Sequence, residues 1–168
     1  MKKLSLIVAA TLAVTTSAVL AATGPATATF QVLINVAKAC SVVAGAGSKI
    51  DFGTVDSSAT SLSGNSNISV TCSKTTPYNI GLLPSNNSTT GAGVMSPASG
   101  SDTVAYQLRS VSATGAVWGS TATATAVGNG VAGTGTGAAQ TIPVYATVAS
   151  ANVTPGAYAD TVTVQVNY

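Results

Sequence analysis

The sequence contains no histidine and no glutamate, and charged residues make up only 6% of its 168 positions. Those absences exclude most catalytic chemistry. Serine and threonine are abundant, but a hydroxyl becomes a nucleophile only beside a base. The acidic residues, Asp51, Asp56, Asp102 and Asp160, are scattered, and nothing pairs Lys38, Lys49 or Lys74 with a particular serine. The two cysteines, without histidine, cannot make a four-ligand zinc site. No enzyme activity, metal or other cofactor is therefore expected. Aromatics are also scarce, at 5% against 46% hydrophobic residues, so the apolar content is largely small Ala and Val. Interleaved with Thr, Ser, Gly and Asn, that content suits pleated strands and tight turns better than helices.

Lys2 and Lys3 precede an apolar stretch over residues 4–20, and Val19-Leu20-Ala21 offers small residues for cleavage. The pattern is that of an export signal over residues 1–21, cut between Ala21 and Ala22. A membrane anchor is the competing reading. The stretch falls short of a full span of about 20 apolar residues, and no second such stretch follows. No anchor is expected in the mature product. Beyond residue 21 the cations Lys38, Lys49, Lys74 and Arg109 balance the four aspartates. A neutral chain offers no basic face for nucleic acid. In an exported protein, Cys40 and Cys72 are expected to form one disulfide. The segment GNGVAG at residues 128–133 matches a dinucleotide fingerprint letter for letter. More glycines follow it, however, and no helix can start there to face a phosphate.

Alternation is the main positive signal. In ATATFQVLINVA, residues 26–37, one face carries Ala26, Ala28, Phe30, Val32, Ile34 and Val36. The other carries Thr27, Thr29, Gln31 and Asn35, with Leu33 the large apolar exception. This is a long apolar comb. Shorter strands are expected around DFG in residues 50–55, and in NISVTC, YNIGL, VAYQLR and IPVYATV. A last strand is expected in AYADTVTVQVNY, with Tyr158, Val162, Val164, Val166 and Tyr168 on one face. Residues 84–93 and 96–101 read as turns, and the Gly/Ala/Thr stretch 128–140 as a flexible loop. Short strands at this spacing predict an all-β sandwich in one domain. The comb has two readings. It is either the first strand of a self-contained sandwich or a strand donated to the sheet of a neighbour, where backbone hydrogen bonds give affinity and alternate side chains give register.

The comb running into KACSV, then DFG, NISVTC, VAYQLR and PGAYADTVTVQVNY, in that order, resembles the spore coat protein U-domain family. Within it the chain is similar to subunits of archaic, Csu-type chaperone–usher pili. The resemblance implies an incomplete immunoglobulin-like β-sandwich, completed by a donor strand from a neighbouring subunit. Residues 22–39 would be the N-terminal extension and 40–168 the sandwich. Ala28, Phe30, Val32, Ile34 and Val36 would be the donor positions, and Cys40 and Cys72 the disulfide of the body. Val162, Val164, Val166 and Tyr168 would line the acceptor groove and meet the chaperone. The implied partners are identical or related pilin subunits, a periplasmic chaperone and an outer-membrane usher. The implied destination is a fimbrium at the cell surface, reached through the periplasm, with a role in adhesion and biofilm formation. A minor or tip subunit, or a self-contained coat or extracellular matrix protein, is the alternative.

Overall fold

A computed structural model describes residues 24–44 and 47–168. The expected signal peptide and its Ala21–Ala22 junction lie outside the described residues. The chain divides into two units, Met1–Asn35 and Val36–Tyr168. In the first, residues 25–35 carry neither strand nor helix, and Phe30, Val32, Leu33 and Ile34 are 84–89% exposed. The comb therefore has the side-chain pattern of a strand without a strand's hydrogen bonds.

The second unit is all β, with no helix among the described residues. Its strands are β1 (Cys40–Val43), β2 (Thr60–Cys72), β3 (Pro77–Pro84), β4 (Ala92–Pro97), β5 (Val104–Ser110), β6 (Val131–Thr134), β7 (Ala139–Ser150), β8 (Tyr158–Ala159) and β9 (Val162–Asn167). They form two sheets, in the orders β1-β2-β7-β5-β4-β8 and β6-β3-β9, and every pairing is antiparallel. Period-two alternation puts Ile68, Val70 and Cys72 of β2, Tyr78, Ile80 and Leu82 of β3, Val104, Tyr106 and Leu108 of β5 and Val144, Ala146 and Val148 of β7 into one core. Burying each large side chain contributes roughly 1.5–3 kcal/mol. Cys40 lies directly opposite Cys72 in the β1–β2 ladder, Cα atoms 4.1 Å apart, and the two are bonded.

One flank of the sandwich is closed by the connection from β5 to β6. Trp118 is fully buried there and donates Nε1–H to the Ile80 carbonyl at 2.9 Å. Its backbone N–H reaches the Leu108 carbonyl, and Gly119 accepts from the Leu82 N–H, so this connection bridges both sheets. A side chain at Gly91, whose φ is +74°, would strike the Trp118 carbonyl, with Cβ only 1.9 Å from its oxygen.

Several sequence expectations need correction. Residues 50–55 form no strand; the backbone there is irregular, with Gly53 at φ +71°. The expected loop over 128–140 contains β6, an edge strand whose small residues let it lie close to Tyr78. At Gly133 a Cβ would come within 2.3 Å of the Tyr78 ring. The expected turns over 84–93 and 96–101 both overlap β4, which takes Ala92, Gly93, Ser96 and Pro97 into a strand whose Gly93 leaves room for the Tyr106 ring. The C-terminal run is two strands. Tyr158 pairs with Pro97 in the larger sheet, and β9 pairs with β3 in the smaller one, so Tyr158 does not share a strand with Val162. GNGVAG is a turn running into β6.

Candidate functional site

β9 is bonded to β3 on one side and, among the described residues, to no strand on the other. Its register places Val162, Val164 and Val166 opposite Pro84, Leu82 and Ile80. Leu82 and Ile80 face the core, so the three valines do as well. The backbone divides the other way. Leu82 donates its N–H to Gly119, away from β9, so Leu82–Val164 is a pair without mutual hydrogen bonds. Alternation then points the N–H and C=O of Val162, Val164 and Val166 outward from the free edge, while Thr163 and Gln165 bond to β3. The same residues thus present an apolar side chain inward and an unpaired backbone sideways.

Beside that edge the two sheets do not close. A cavity of about 990 Å³ opens between them. Val162 and Val164 supply one wall, together with Leu82 of β3. Ile68, Leu108 and Val148 of the larger sheet supply the floor. Residues 48–57, between β1 and β2, supply a further wall through Ile50 and Phe52, which are half-buried against the core. Val166 packs on the core but lies beyond the cavity, and Tyr168 is 46% exposed past the end of β9. Of the residues expected to form a groove, the structure brings Val162 and Val164 to the cavity. Val166 and Tyr168 do not line it.

The polar groups of the site sit at its rim. The Lys49 ammonium, 2.9 Å away, and the Gly53 N–H hold the exposed Asp51 carboxyl below its ordinary value. Asp51 thereby closes a turn. Asp160 lies between β8 and β9 and was missed as a tether. It accepts from Tyr106 Oη at 2.6 Å, from Ser85 Oγ and from the Thr161 N–H at 2.7 Å. Burial pushes the Asp160 carboxyl up, but these donors outweigh it and leave the carboxyl below its usual range. Burial, then the facing Asp160 carboxylate, pushes the Tyr106 phenol well above its ordinary value. An Asp interrupting the alternation of AYADTVTV was the available signal. Among the described residues, no three His, Cys, Asp or Glu side chains gather where they could hold a metal ion. The arrangement suits binding an extended apolar segment.

An antiparallel two-sheet sandwich, disulfide-tied at one end and with one edge of β9 unpaired among the described residues, is the class of domain that the fold defines. The particular family is shown by sequence: residues 26–165 match the Spore Coat Protein U domain, and the chain belongs to that family. No curated protein matches it. Among solved structures it is similar to a chain in the chaperone–tip adhesion subunit pre-assembly complex from archaic chaperone–usher Csu pili of Acinetobacter baumannii, with a TM-score of 0.54 and 24% identity. The match covers 79% of this chain and 40% of that one, so this chain spans well under half the length of its structural relative. The likeness is one of fold, an immunoglobulin-like sandwich.

Proposed function

We propose that this protein is a structural subunit of a chaperone–usher fimbria, and that it polymerises when the comb of one copy enters the open sandwich of the next. One observation carries the reading. The same chain holds an apolar slot beside an unpaired strand edge and an exposed segment with the side-chain alternation to fill it. Phe30, Val32 and Ile34, with Ala28 and Val36 flanking them, face the slot as plugs. The backbone of that segment bonds the free edge of β9 at Val162, Val164 and Val166. Before assembly a periplasmic chaperone covers the same edge, and an outer-membrane usher passes the subunits to the surface. The fold shared with a chain of a chaperone–subunit complex supports this order of events. The Cys40–Cys72 bond fits oxidative folding in the periplasm. Adhesion and biofilm formation follow as roles of the assembled fibre.

Parity along the comb tests the proposal. Ile34→Asp or Val32→Asp puts a charge into an apolar slot and is expected to abolish surface fibres. Thr29→Asp or Gln31→Asp, on the opposite face, should leave fibre yield within about twofold, as surface substitutions rarely cost more than ~0.5 kcal/mol. Co-purification with the chaperone controls for folding. Equal loss at both parities rejects the reading.

A further inference from the structure

The wall formed by residues 48–57 is attached in an unusual way. It lies between two ordered strands, lines the cavity along its whole length and forms no strand. At its start, Ser48 Oγ donates to the Asn67 carbonyl at 2.8 Å, and Ser66 Oγ donates to the Gly47 carbonyl at 3.0 Å. At its far end, the Ala151 N–H reaches the Ala59 carbonyl at 2.9 Å. Between these points its polar bonds are internal: Lys49 to Asp51, the Gly53 N–H to Asp51, and the Ala59 N–H to Asp56. Among the described residues, only the side chains of Ile50 and Phe52 hold the middle of the segment to the core. Both sit over Gly64. A Cβ on Gly64 would lie 2.8 Å from Ile50 Cγ2 and 3.4 Å from Phe52 Cε1. The glycine faces inward on β2, where alternation otherwise puts Leu62, Ser66 and Ile68. It is a seat shaped for those two side chains.

We propose that residues 48–57 are a strap that closes the slot of the empty subunit and swings about Ser48 and Ala59 to admit the incoming strand. This rests on the donor-strand reading above, and the entering segment is residues 24–37 of a second copy. Ile50 and Phe52 shield the floor of the slot from water until that strand supplies its own apolar residues. The irregular backbone of the strap makes the motion local. No ladder is broken when it moves, because none was formed. The strap thus sets the rate of strand entry, while β9 sets its strength.

The test is uptake of a fluorescent peptide, residues 24–37, by the dilute full-length exported chain. Ser48→Ala removes one hinge bond from the surface and is expected to speed uptake about two- to tenfold without changing the final occupancy. Ile50→Cys with Gly64→Cys places two thiols where the geometry brings positions 50 and 64 together. Oxidised, this pair should block uptake, and reduction should restore it. Wild-type chain exposed to the same reductant serves as the control. Uptake by the oxidised pair at the wild-type rate, or an unchanged rate in Ser48→Ala, overturns the strap while leaving the donor-strand reading intact. Failure of the wild type to take up the peptide overturns that reading, and the strap with it.

Discussion

At the scale of single residues, most of the chain is chemically quiet, and the exception is Asp160. It stands where the chain leaves the larger sheet and enters the smaller one, and Tyr106 reaches it from β5 across the space left by Gly93. The bond therefore fixes where β9 begins and holds the wall of the slot in place. Tyr106→Phe removes one donor from a carboxylate that solvent still reaches. The expected loss is about 1–2 kcal/mol in the free energy of unfolding measured by urea denaturation, nearer the low end for that reason. The pH dependence has a definite sign. The folded carboxyl titrates below its unfolded value, so its contribution is complete above the unfolded carboxylate range, about pH 4. It is lost as pH falls through the lower folded value. The gap between wild type and Tyr106→Phe should shrink in acid, whereas Asp160→Asn should lose that dependence. A gap that stays constant in acid would mean that the phenol acts through packing alone.

At the scale of elements, β9 is the strand on which the site depends, and its two parities differ in what they leave unpaired. The amides of Thr163 and Gln165 are engaged by β3, whereas those of Val164 and Val166 point from a free edge. Hydrogen exchange should find Val164 and Val166 fast in the empty subunit and slow once a comb peptide is bound. Thr163 and Gln165 should be protected in both states. Uniform exchange along the strand would contradict the register. Most of the ladder was legible in the sequence, because Ile68, Val70 and Cys72, or Val144, Ala146 and Val148, alternate against a single core. The disulfide was legible from two cysteines in a chain with an export signal. The strap was not. Ile50 and Phe52 alternate like strand residues, yet their backbone joins no ladder, and alternation cannot reveal the absence of a partner. The strand β6 was hidden for the opposite reason. Its Gly, Ala and Thr carry no hydrophobic pattern, and it forms because β3 offers an edge and Tyr78 demands a small neighbour. The sheet switch was marked by Asp160 alone, since Tyr158 and Val162 have the same parity on either side of it. Alternation put Val162 and Val164 on one strand face and the family resemblance alone assigned that face to a groove, whereas the cavity itself depends on where the sheets part.

At the scale of the whole molecule, the decisive quantity is what an empty slot costs. Three large plugs, Phe30, Val32 and Ile34, would each contribute roughly 1.5–3 kcal/mol on full burial, or about 4.5–9 kcal/mol together. That is comparable with the entire net stability of an ordinary domain, about 5–15 kcal/mol. A subunit with a vacant strand position should therefore be marginal alone and robust when filled, which is the energetic requirement for one-way assembly. The direction of β9 suggests a way to measure this in a single chain. β9 runs toward Asn167, so a comb appended after Tyr168 through a short turn can fold back as an antiparallel neighbour of β9. In this arrangement the natural comb, residues 24–37, is deleted, leaving one strand for one slot. The fused protein is expected to be monomeric and to unfold cooperatively. Its stability should exceed that of the comb-deleted chain by several kcal/mol, approaching the figure above as an upper limit because unfolded chains already bury part of their apolar surface. The same fusion carrying Ile34→Asp should lose most of that gain, while one carrying Gln31→Asp should keep it. Sedimentation and urea unfolding read both quantities. A comb-deleted chain that is already monomeric and as stable as the fusion would show that the slot needs no occupant, and the fold would then be self-contained.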